Sequence, residues 1–264
     1  KAYASGGTRD RYEAGALFNT FRDTLQLSFI GFGNNINRES FDYNELNQHA
    51  GLGRSENYGF NDFGGRNYWG LANNIGLGFN LNYDWGKKTK LNVMYMFKRN
   101  NIYTDYNVLS KMLLNDYEET SAYSSNDTRK ENQHDISTLF RHRLDTTMFV
   151  EFKPRISFSE NSSNNTGYNV TLNALDSLNR NSSNSIASRK RISYGHNLYF
   201  EKQLHPQHLI TFTNTIDYNS NNNNNIDESL TRLFKEDKQN TSIWNNTIEE
   251  RLDNNIYFST SYQN

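Results

Sequence analysis

The chain has 264 residues and a formal net charge of −1, with 34% hydrophobic and 14% aromatic residues and a mean hydropathy of −0.91. The balanced charge offers no electrostatic basis for binding nucleic acid, and the absence of cysteine removes disulfides, thiolate metal sites and cysteine nucleophiles together. Aliphatic residues are too sparse for a large soluble core, yet 17 tyrosines and 17 phenylalanines are too many for a disordered chain.

Period-2 alternation recurs along the chain, and helical periodicity is almost absent. Ile75, Leu77, Phe79, Leu81 and Tyr83 alternate with Gly76, Gly78, Asn80 and Asn82. After a turn at Gly86-Lys87-Lys88 come Leu91, Val93, Tyr95 and Phe97. Met148, Val150, Phe152, Ile156 and Phe158 alternate with Phe149, Glu151, Lys153, Arg155 and Ser157. Ile192, Tyr194, Leu198 and Phe200 follow, then Ile210, Phe212, Ile216 and Tyr218, and finally Ile256, Phe258 and Tyr262. These stretches run for roughly nine to fourteen residues, against about five or six in soluble sheets.

Short turns are expected at Arg22-Asp23, 86–88, 145–147, 205–207 and Asp253-Asn254, with long polar loops over 36–68, 102–128, 161–187 and 220–236. The last two loops carry the low-complexity runs 161–165 and 221–225. Strands this long, apolar on one side only, with short turns at one end and long loops at the other, fit oblique crossing of a bilayer. Lipid cannot satisfy an open sheet edge, so the expected fold is an all-β, antiparallel transmembrane β-barrel of about eleven strands. Pro154 predicts a bulge or an edge. His196 and Asn214 fall on the lipid parity, which calls for a nearby interface or a slip in register, and 237–252 is the weakest strand candidate.

The opening of the chain carries a family resemblance. Gly6-Gly7-Thr8-Arg9-Asp10-Arg11-Tyr12-Glu13-Ala14-Gly15 leads into Phe18-Asn19-Thr20-Phe21, a short turn and Leu25-Gln26-Leu27-Ser28-Phe29-Ile30-Gly31. Asn34-Asn35-Ile36-Asn37 and Phe41-Asp42-Tyr43-Asn44-Glu45-Leu46 follow, then a glycine-containing loop and the strand from Gly70-Leu71-Ala72-Asn73-Asn74 to Trp85-Gly86. This resembles the outer-membrane β-barrel family related to TonB-dependent receptors of Bacteroidota-type Gram-negative bacteria, most clearly over residues 1–100. The resemblance implies a receptor with a plug domain and a barrel of about 22 strands, of which residues 1–264 would be a truncated segment, about half of the barrel, without the plug. It also implies a location in the outer membrane and uptake of a bulky nutrient such as a metal chelate, glycan or peptide. Expected partners are outer-membrane lipid, the plug, a TonB-type energy-coupling protein and a surface lipoprotein. The alternative is an outer-membrane barrel that is structural or binds partners at its surface without transport.

No catalytic constellation is present, so the chain is not expected to be an enzyme or to need a cofactor or metal. His205 and His208 flank a turn without acidic or cysteine partners, and the adjacent carboxylate pairs Glu118-Glu119 and Glu249-Glu250 would point to opposite faces of a strand. Two sets of candidate site residues remain. Arg141, Arg143, Glu151, Lys153 and Arg155 share the polar parity of two neighbouring strands, either as a salt-bridged wet wall or as a patch that meets a plug or a passing solute. Tyr58, Phe60, Phe63 and Arg66 lie with Phe41, Tyr43 and Tyr68 in a loop rich in glycine and asparagine. Such aromatic side chains either recognise a ligand or pack on one another.

Overall fold

A computed structural model describes residues 1–38, 41, 70–114, 117–173, 177–233 and 239–262. Among these residues there is no helix, and hence no helix long and apolar enough to cross a membrane. The chain forms one antiparallel sheet in which each strand pairs with the next in sequence. The strands are β1 (Ala2–Gly6), β2 (Tyr12–Arg22), β3 (Leu25–Asn34), β4 (Leu71–Trp85) and β5 (Thr89–Leu114), then β6 (Tyr117–Arg143), β7 (Met148–Asn173), β8 (Ser177–His205), β9 (His208–Leu233) and β10 (Gln239–Tyr262). β1 and β10 are the two edges and do not pair with each other, so the sheet is not closed.

Among the described residues ten strands form rather than eleven, and no turn occurs at Asp253-Asn254. Both residues sit inside β10, opposite Asp217 and Ile216, and the weak candidate 237–252 merges with the strand that follows it. The other short turns stand where alternation stops, and Gly86 takes the positive φ of 61° that its turn requires. The larger correction concerns three of the long loops. Residues 102–128, 161–187 and 220–236 lie largely within strands of 24–29 residues that pair almost to their tips. The asparagine run 221–225 is itself a ladder segment, paired with 187–191 on one side and 245–249 on the other. Alternation fails over 161–165 and 221–225 because both faces carry only polar side chains there, and the backbone ladder continues without it.

Pro154 produces neither a bulge nor an edge. It lies in the interior strand β7 opposite His196, and the β6–β7 ladder skips two pairs beside it and resumes in the same register, from Ser137–Arg155 to Phe140–Phe152. The register therefore holds across the apolar stretch. Leu77, Phe79, Val93, Tyr95, Val150, Phe152, Leu198 and Phe200 all share one face.

The two faces invert the usual order of a soluble protein. On the first, called the outer face below, Leu77 is 54% exposed, Phe29 47% and Trp85 73%. On the opposite, inner face, Ser28, Asn34, Asn74, Asn80 and Asn100 are fully buried, beside Ile30, Phe32, Met94 and Met96. The apolar outer face has a defined depth. Crossing the sheet at Phe79, the row reads Tyr95, Ile136, Ile156, Tyr194 and Tyr218, and two residues further from the short turns it reads Leu77, Phe97, His134, Phe158 and Ile192. The next row turns polar, with Arg99, Asn132, Glu160, Lys190 and Asn222, and a Lys190–Glu160 ion pair at 3.4 Å lies on it. From that row to the turns is about ten residues on β5 and about fifteen on β8, or roughly 25–35 Å of height at a strand tilt of about 45°.

Candidate functional site

The inner face of β6–β9 gathers most of the charged residues marked out by parity. β6 and β7 place Arg141 opposite Glu151, and the Arg141 Nε donates to Glu151 Oε2 at 2.6 Å. Lys153, two residues along the same face, puts its Nζ 2.7 Å from the other carboxylate oxygen, so Glu151 is clamped from both sides. Arg155 does not join this cluster. Its guanidinium reaches across β8 to Asp217 on β9, with Nη2 2.6 Å from Oδ1. A glycine makes that span possible: a Cβ at Gly195, the β8 residue between them, would lie 2.7 Å from both Arg155 Nε and Asp217 Oδ1. Arg143 stands apart near the short turn, over the Phe149 ring at 5.8 Å from its centroid.

The turn below this wall has its own electrostatics. Asp145 Oδ1 accepts from the Thr147 hydroxyl at 2.7 Å and from its backbone N–H at 2.6 Å. These two bonds, with Lys202 nearby, hold the Asp145 carboxyl below its ordinary range.

Across β2–β5 the inner wall is amide rather than ionic. Asn92 Nδ2 donates to Asn80 Oδ1 and to Asn82 Oδ1, each at 2.7 Å, and Asn100 Nδ2 donates to Glu131 Oε2 at 3.2 Å. Asn74 is fully buried, and neither of its amide atoms has a partner. After β3 the chain turns back over this wall at Phe41, whose ring centroid lies 6.0 Å from that of Tyr3 and 6.4 Å from that of Phe32. Phe41 is 1% exposed, so this aromatic belongs to the inner packing and not to an open recognition surface. Tyr58, Phe60, Phe63 and Arg66 lie outside the described residues.

Sequence reasoning missed Asp217 and Gly195 as parts of the charged wall. Asp217 has the polar parity of its own strand, but only the strand order shows that Arg155 can reach it over an intervening residue. The inner amide wall gave no signal beyond abundant asparagine. Among the described residues no cluster of His, Asp or Glu is arranged to hold a metal ion. The inner wall offers charged and amide groups for hydrogen bonding to a solute or to another part of a protein.

No protein-family model matches the chain, and no curated protein matches it. Among solved structures it is similar to the ferric yersiniabactin uptake receptor FyuA from Yersinia pestis, with 7% identity and a TM-score of 0.27 over 97% of this chain and 43% of that one. The chain thus spans less than half the length of that receptor.

Proposed function

We propose that this chain is wall of an outer-membrane β-barrel that serves as a receptor or transporter for a bulky nutrient, in the manner of TonB-dependent uptake. The observation that carries this reading is the inverted sheet. Its apolar side chains are exposed in a belt about ten to fifteen residues deep beside the short turns, and its polar side chains line the other face, where Ser28, Asn34, Asn74, Asn80 and Asn100 are fully buried. A solvated belt of that kind would be a large aggregation-prone patch, whereas in lipid it is the favourable surface. The two unpaired edges need further strands, consistent with a larger barrel of about 22. A plug domain and a TonB-type coupling protein are then the partners for transport, and a surface lipoprotein is a candidate at the outer rim. The long hairpins support a second reading, a surface-binding barrel without transport, because they stand roughly 30 Å beyond the belt.

Nitroxide labels test the membrane reading. Labels at Leu77, Phe79, Val150 and Phe200 should be quenched by a lipid-soluble reagent, and labels at Asn80, Asn92, Glu151 and Arg155 should not. The reverse pattern would exchange the faces, as a one-residue slip in register does. Uptake by cells that lack the coupling protein separates the two functional readings, since only transport depends on it.

A further inference from the structure

Among the described residues of the inner face, Arg189 and Arg191 stand side by side without a carboxylate to offset their charge, as Arg143 does singly near the short turn. Arg189 and Arg191 are two residues apart on β8, so both project from the inner face about 7 Å apart. Arg189 Nε donates to Asn223 Oδ1 at 2.6 Å, and Arg191 Nη2 donates to Asn219 Oδ1 at 3.1 Å. Arg129, Arg141, Arg155 and Arg251, by contrast, each reach an aspartate or glutamate. Register surrounds the pair with short amides and hydroxyls: Ser159 and Asn161 on β7, Asn221 and Asn223 on β9. Asn221 Oδ1 is buried without a partner. The nearest carboxylates along these rows are Glu131 beyond Asn161, which accepts from Asn100, and Glu249 beyond Asn221. Lys190, between the two arginines, marks the row where the outer face turns polar, so the pair sits level with the outer rim of the belt.

We propose that Arg189 and Arg191, with the amides of β9, form a binding site for an oligosaccharide that carries oxyanion groups, carboxylate or sulfate. This deepens the receptor reading above and rests on it, because the inner face must be open to solutes from outside. The chemistry follows from what the side chains still offer. A guanidinium has five N–H donors and these two spend one each on neutral amides, which leaves both forks able to grip an oxyanion in a bidentate way. Asparagine presents a donor and an acceptor side by side, which suits neighbouring sugar hydroxyls. A neutral sugar would satisfy the amides and leave both charges unanswered.

The test is calorimetric titration of the full chain in detergent with tetragalacturonate, a sulfated chondroitin tetrasaccharide and neutral cellotetraose. At least one anionic sugar should bind about tenfold or more tightly than cellotetraose, and which one does so identifies the oxyanion. Arg189→Gln with Arg191→Gln should erase that preference, and Arg189→Lys with Arg191→Lys should restore part of it. Nitroxide quenching at Leu77 and Phe79 is read on the same samples. Equal affinity for anionic and neutral sugars, or an undiminished preference in the glutamine variant, overturns the site whenever the labels face lipid. Labels that face water overturn the barrel reading beneath it.

Discussion

Gly195 is where the wall can be tested at the scale of one methyl group. The Arg155–Asp217 pair passes directly over it, and a Cβ there would meet both partners at 2.7 Å, closer than carbon tolerates. The atoms in the way are the ends of flexible side chains, so Gly195→Ala should part the pair rather than distort the sheet. Two terms then oppose each other. Replacing glycine inside a strand returns about 0.5–1 kcal/mol of backbone entropy. The pair is solvent-exposed, with side-chain exposures of 62% and 37%, which limits its worth to about 0.2–1 kcal/mol. Gly195→Ala alone should thus change stability by less than about 1 kcal/mol in either direction. Coupling between the sites is the sharper measurement. Asp217→Asn should cost about 0.2–1 kcal/mol in the native background and nothing once Gly195→Val has parted the pair. Urea unfolding in lipid vesicles, followed by tryptophan fluorescence, measures both, and the same cost of Asp217→Asn in the two backgrounds would refute the bridge.

Three further outcomes follow from the wall, the turn and the aromatic segment at Tyr58, Phe60 and Phe63. Glu151→Gln removes the anion between Arg141 and Lys153. It should cost about 1–3 kcal/mol in the same unfolding assay, more than removal of the exposed Arg155 partner. Asp145 has a lowered folded pKa, so its stabilising contribution is present above the ordinary carboxylate range and is lost only as pH falls through the depressed value. Thr147→Val should move the Asp145 carboxyl titration, followed by carbon NMR, back toward the ordinary range. Changing Tyr58, Phe60 and Phe63 together to Ala should abolish ligand binding while the protein still assembles and stays heat-resistant. Unchanged binding would move recognition to the inner wall.

The belt was legible because a strand with one apolar and one polar face carries a strong signal, one large apolar residue at every second position from Ile75 to Trp85 and again, Pro154 apart, from Met148 to Phe158. Two dissimilar faces make that alternation obligatory, and the pairing register agrees with it row by row. The hairpin extensions were illegible for the converse reason. Residues 161–165 and 221–225 carry polar side chains on both faces, so no face shows an apolar period, and polar composition reads as loop whether or not the backbone pairs. Of the candidate wall residues, parity picked Glu151 and Lys153 on one strand and Arg141 on its neighbour, and these do meet. It could not separate Arg143, which leaves the set at the turn, or find Asp217, two strands from its partner.

His196 and Asn214 show how the sheet keeps polar side chains on an apolar face. Neither a register slip nor the rim accounts for them. Pairing is continuous through His196–Ile216 and Leu198–Asn214, and both residues lie within the belt. They are joined into a chain instead. Tyr194 Oη lies 2.8 Å from His196 Nδ1, His196 Nε2 lies 2.9 Å from Asn214 Oδ1, and Asn214 Nδ2 donates to Asn254 Oδ1 at 2.8 Å. The Asn214 oxygen can only accept, so His196 Nε2 carries the hydrogen and Nδ1 receives the tyrosine proton. An unsatisfied polar group in hydrocarbon costs several kcal/mol, and this chain pairs those of His196 and Asn214 while linking β8, β9 and β10 side by side. Replacing one member alone would orphan its neighbour, whereas replacing His196 and Asn214 together with apolar residues would remove the need for the chain.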